Sequence, residues 1–140
     1  MKTYDKKVFE KLILFIRNKD KEAEQWLIDE GYRELREFWD ACEGMEVSFK
    51  WLLDNNYQQL AAVVDALNGN DPAKVYLLKS GNRELAAFVE ATTGSQKAIS
   101  WLLQFKHHGW VMVAKECFDL DKKKEKSFIW NFLNFGNPFK

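Results

Sequence analysis

The 140-residue chain carries 21 basic and 21 acidic side chains, 46% hydrophobic residues, 7 glycines and only 2 prolines. That length suits one domain able to bury about 68% of its unfolded surface, and the composition excludes collagen-like and low-complexity chains. Zero net charge argues against bulk nucleic-acid binding, which rests on neutralising phosphates, and apolar runs such as Leu12–Ile16 fall far short of the roughly 20 residues that span a bilayer.

At the N-terminus, Glu10 and Lys11 interrupt the apolar stretch and no small-x-small site comes after it, so no signal peptide is expected and the chain reads as soluble and cytoplasmic. Residues 5–17 place Val8, Leu12, Phe15 and Ile16 on one helical face. This helix, within residues 1–20, is predicted to cap the N-terminal end of the fold.

From residue 21 the chain repeats every 25 residues. Trp26, Trp51, Tyr76 and Trp101 form one column, followed by Leu27, Leu52, Leu77 and Leu102, then by Ile28, Leu53, Leu78 and Leu103. Ala23, Ser48, Ala73 and Ala98 precede them. Leu35, Leu60, Leu85 and Trp110 make a further column, as do Phe38, Val63, Phe88 and Val113. Gly44, Gly69 and Gly94 align, with Asp119 breaking the series. A fixed period of this size signals a repeat array.

Each unit reads as two short helices. Ala23, Trp26 and Leu27 share one helical face; Leu35, Phe38, Trp39 and Cys42 share another. Gly31, Asn55-Asn56 and Gly81 fill the turn inside a unit, where a left-handed residue ends a helix. Pro72 suits a first helical turn. Helices of about ten residues are too short to stand alone, so stacked units must share one core. The tryptophan column is predicted to lie in that core, so Trp51→Ala is expected to cost about 3–5 kcal/mol.

After Asp119 the register is lost. Lys122 to Lys126 reads as a charged helix start, with Phe128, Ile129, Phe132 and Leu133 as an apolar stripe. Residues 121–140 are predicted to cap the other end. The fold expected is therefore one all-α domain over 1–140: a right-handed-type α-solenoid (α-α superhelix) of four two-helix repeats over 21–120, with capping helices at both ends.

The stretch Gly81-Asn82-Arg83-Glu84-Leu85, echoed by Gly31-Tyr32-Arg33-Glu34-Leu35, resembles the start of the second helix in ankyrin repeats. Over residues 21–120 the chain resembles two-helix α-solenoid repeat proteins in general, ankyrin-like without the β-hairpin, since a 25-residue unit has no room for one. Only Pro72 echoes the ankyrin Thr-Pro-Leu-His motif. The resemblance implies protein recognition and supplies no catalytic residues.

The chemistry-bearing residues agree with a non-catalytic reading. Cys42 and Cys117 occupy one column three units apart. Straight stacking at about 8–10 Å per layer would separate them by about 25–30 Å, beyond the reach of a disulfide. His107 and His108 are the two histidines and form no zinc motif, so no metal or cofactor is expected. An enzyme would have to gather polar groups around His107, His108 or Cys117. Glu34 with Glu37, and Asp29 with Glu30, read as solvated faces.

Charge is uneven along the chain. Residues 21–45 carry 3 basic and 8 acidic groups, net −5, whereas residues 121–140 carry 5 basic and 2 acidic, net +3. An acidic first half attracts basic proteins. Tyr32, Tyr57, Asn82 and His107 come just after the inter-helix turns, with Arg33, Gln58, Arg83 and His108 beside them. These positions vary while the core columns do not, and tyrosines and arginines are good interface anchors. The expected function is a protein–protein interaction module, a scaffold or inhibitor. It would hold a basic partner through Glu30, Glu34 and Glu37 and through the turn column. An alternative is a peripheral membrane role for the basic-aromatic segment containing Phe128 and Trp130. Weak self-association of acidic with basic ends would be salt-sensitive.

Overall fold

The computed structural model describes the backbone of residues 3–128 and the side chains of residues 3–119. The described residues form nine α-helices and no strand. They are α1 (Lys6–Asn18), α2 (Lys21–Asp29), α3 (Arg33–Cys42), α4 (Glu46–Asp54), α5 (Gln58–Leu67), α6 (Asp71–Lys79), α7 (Arg83–Ala91), α8 (Gln96–Gln104) and α9 (His108–Phe128). The starts of α2, α4, α6 and α8 lie 25 residues apart, as do those of α3, α5, α7 and α9.

The turns explain that regularity. Gly31, Asn56, Gly81 and Lys106 all have positive φ (90°, 68°, 83° and 65°). The next residue's N–H returns to the carbonyl five residues back: Tyr32 to Leu27 at 2.7 Å, Tyr57 to Leu52 at 2.8 Å, Asn82 to Leu77 at 3.1 Å, His107 to Leu102 at 2.7 Å. This is the Schellman closure, in which the residue after the left-handed position commonly packs onto the last helical turn. Tyr32 accordingly stacks on Trp26, Tyr57 on Trp51 and His107 on Trp101, at ring separations of 6.0, 5.8 and 5.8 Å.

The aromatic column is therefore part of the turn device, and its burial differs from expectation. Trp26, Trp51 and Trp101 are half-buried and Tyr76 is exposed, whereas Leu27, Leu52, Leu77 and Leu102 are fully buried. The leucines, one position on, point to the centre of the packing face; the tryptophans lie at its edge. The third apolar column turns outward: Leu53, Leu78 and Leu103 are 42%, 60% and 43% exposed.

Helix starts are made in more than one way, and α4 begins after Met45 with no side-chain cap. Asp20, Asn70 and Ser95 cap α2, α6 and α8 by accepting from the N–H groups of Ala23, Ala73 and Ala98 at 2.8, 3.1 and 3.2 Å. The helices α3, α5 and α7 start after Tyr32, Tyr57 and Asn82, none of which makes a side-chain cap bond. At these positions the residue closing the previous helix also opens the next, and two of them are aromatic.

Each helix packs on its neighbour in sequence, and α3, α5, α7 and α9 also pack in succession. In addition α1 packs against both α3 and α9. The first helix therefore joins the two ends of the row instead of covering one. Phe38, Phe88 and Trp110, from α3, α7 and α9, meet at ring separations of 6.4, 6.4 and 5.1 Å, and Tyr4 and Phe9 reach Trp110 at 6.3 and 5.2 Å. Arg17 of α1 pairs with Glu116 of α9 at 2.8 Å.

This closure corrects the cysteine geometry. Cys42 and Cys117 are free thiols, close enough that Cys117 contributes to raising the Cys42 pKa; a straight stack would keep them about 25–30 Å apart. The helix boundary at residue 119 is corrected too. With Asp119 in place of the glycine that ends α3, α5 and α7, α9 runs on through Lys122–Lys126 to Phe128. The expected stripe beyond it, with Trp130, lies outside the described residues. Among the described residues no helix is long and apolar enough to cross a membrane.

Candidate functional site

The outward leucines line two grooves on the outer face. One is bounded by α4, α5 and α6 and lined by residues including Phe49, Leu53, Ala61, Ala62 and Tyr76. The other is bounded by α6, α7 and α8 and lined by Lys74, Leu78, Ala86, Ala87 and Trp101 among others. Every residue lining the first has its counterpart 25 positions on in the second: Gln58 with Arg83, Asp65 with Glu90, Asn70 with Ser95. Their volumes are about 360 and 620 Å³.

Two alanines on the inner helix make room for each groove. Counting back 25 from Ala61-Ala62 gives Arg36-Glu37, and here the space between α2 and α4 is occupied. Arg36 reaches Glu24 at 2.9 Å, Glu37 at 2.8 Å and Asp40 at 3.4 Å. Arg33 also holds Glu37 at 3.0 Å and lies 4.9 Å from the Trp51 ring centre. Burial pushes the Glu37 carboxyl up, but Ser48, Arg33 and Arg36 more than offset it and hold it below the usual carboxylate range.

The acidic face expected from sequence is thus partly internal. Glu34 and Glu37 are 1% and 3% exposed. Glu34 accepts a 2.9 Å hydrogen bond from the Tyr4 hydroxyl, and desolvation together with the Glu34 charge pushes the Tyr4 pKa well up. They face inward because α3 carries its acidic residues on the sides that meet α1 and α4, so reading them as solvated is corrected. Glu30, with Asp29 and Glu22, is exposed on α2.

The turn column is likewise divided. Tyr32, Tyr57 and His107 have one ring face on a tryptophan. Gln58 and Arg83 line the two grooves. Asn82, His107 and His108 come together at a third cavity, where α7 and α9 begin. Sequence reasoning missed the groove residues Leu53, Leu78, Ala61, Ala62, Ala86 and Ala87. The alanine pairs at 25-residue spacing, opposite Arg36-Glu37 in the first unit, were the signal that could have found them. Comparison of this chain with protein-family models, with curated proteins and with solved structures gives no match.

Proposed function

We propose that the protein is a non-catalytic protein-binding module, an α-solenoid of four two-helix units whose ends are drawn together by the first helix. The repeated groove carries this reading: two concave apolar strips built from the same ten positions of consecutive units, each floored by alanines and flanked by an outward leucine. Exposed apolar surface arranged in register is a feature of interaction sites, and repeat arrays present such surfaces along their length.

The two strips suit a partner segment that carries apolar side chains on one face, one for each groove. Arg83 and Lys97 beside the second groove, where Lys74 is paired with Glu90 at 3.4 Å, favour an acidic residue next to that side chain. Exposed Glu22, Asp29 and Glu30 on α2 favour a basic flank at the other end.

The test is partner capture from lysate of the source cell by the intact chain and by Ala61→Arg/Ala86→Arg, which fills both grooves with the side chain that already occupies the first unit. Leu14→Asp, on the exposed side of α1, serves as the off-site control. Partners held by the chain and by the control but lost with the filled grooves are the expected result. Equal capture by all three proteins sinks the reading.

A further inference from the structure

The cavity where α1, α7 and α9 begin has a different character from the grooves. It encloses about 740 Å³ between Lys6, Asn82, Glu84, Lys106, His108 and Trp110, among others. Three helices begin beside it: α1, already capped by Asp5, which accepts from the Val8 N–H at 3.1 Å; α7, with Glu84 in its first turn; and α9. The first turn of α9 carries no acidic residue. Such ends present unpaired N–H groups and the positive pole of the helix dipole.

A second observation, independent of the helix ends, marks the cavity as a site. Asn82 is 9% exposed. Its side chain makes no cap bond and no other hydrogen bond among the described residues. The residue is buried while its amide group stays open to the cavity. Asn82 is also the one position of its column where an aromatic ring does not stack on the preceding helix: Tyr76, its counterpart to Trp26, Trp51 and Trp101, is exposed. The amide thus faces the cavity with donors and acceptors unused.

Charge and shape define the ligand that would fill it. Lys6 and Lys106 form no ion pair among the described residues. Glu84 is the one carboxylate in the lining, against two lysines. Tyr4, Phe9, Trp110 and Met112 supply apolar wall. We infer that this cavity binds a small organic oxyanion, its phosphate or carboxylate held by Asn82, Lys106 and the N-terminus of α9, and its apolar body against Trp110.

The test uses phenyl phosphate as probe, with amide NMR on the intact chain as the readout. Benzoate compares the two headgroups, inorganic phosphate removes the body and benzyl alcohol removes the charge. Saturable shifts at residues 83–85 and 108–110 are expected with phenyl phosphate or benzoate, and weaker binding with either control. Lys106→Gln, a surface change that leaves the fold intact, and Asn82→Ala should each weaken binding about five-fold or more, in keeping with one lost charged or polar contact. Three outcomes overturn the assignment: no saturation by about 10 mM, a Kd beyond useful recognition; shifts as large at the starts of α3 and α5; or affinity unchanged in both variants.

Discussion

A side chain on Gly109 would have its first carbon 2.0–2.4 Å from three ring carbons of Phe9. The other units place Glu34, Gln59 and Glu84 at that position, so the missing side chain is where α1 settles on α9. Gly109→Ala gains helix propensity of up to about 1 kcal/mol, less at a helix start. It must displace a buried ring, and overpacking of this kind costs about 1–3 kcal/mol. The clash is expected to win. Chemical denaturation should show the loss, and the same substitution in a Phe9→Leu background should cost clearly less. Equal cost in both backgrounds would mean that Gly109 does not make room for Phe9.

The two columns that sequence grouped together should separate in stability. Leu52 is fully buried and Trp51 half-buried. Leu52→Ala is expected to cost about 2–5 kcal/mol. Trp51→Ala keeps its turn bonds and gives up about half its burial plus the Tyr57 stack, about 1–2 kcal/mol. Urea midpoints for the two variants check the order, and a larger loss for Trp51→Ala would return the tryptophans to the core.

Much of this architecture was legible in the residues. The 25-residue columns place the helices because a Schellman turn needs a left-handed residue at one position, and Gly31, Asn56 and Gly81 supply it. Lys106 supplies it too, at φ 65°, without the compositional mark. Closure was not legible, because a period sets register within a unit and says nothing of the angle between units. That angle depends on how Phe38, Phe88 and Trp110 fill the middle and on the gap at Gly109. The inward turn of Glu34 was hidden for the same reason: its partner, Tyr4, comes from the far end of the row. The grooves were hidden because the columns of Leu52 and Leu53 are equally apolar in sequence, whereas only the first of each pair faces inward.

The Arg36 network gives stability a defined pH dependence. Glu37 is held below its ordinary pKa, so its contribution is complete above the unfolded value of about 4.3 and is lost as pH falls through the lower folded value. Asp40, on the same guanidinium, moves the other way, raised first by burial and also by Glu37, so neutralising Glu37 relieves Asp40 and returns part of the loss. Glu37→Gln should therefore cost about 1–3 kcal/mol at neutral pH. The gap from the unaltered chain should close below about pH 4. A gap independent of pH would place the effect in packing instead of charge.

Cys42 should be a slow thiol. Burial pushes its pKa well up, with Cys117 and Glu43 adding in the same direction, and the thiolate is the reactive form. In a Cys117→Ser chain at about pH 8, where an ordinary cysteine of pKa near 8.5 is partly ionised, alkylation by iodoacetamide is expected to be many-fold slower in the folded protein than in urea. Mass spectrometry against time measures it. Because Cys42 on α3 lies near Cys117 on α9, the two helices that α1 joins, Gly109→Ala should speed the reaction in step with the stability it loses. Fast alkylation of the intact fold would mean that α3 and α9 do not hold Cys42 in the surroundings that raise its pKa.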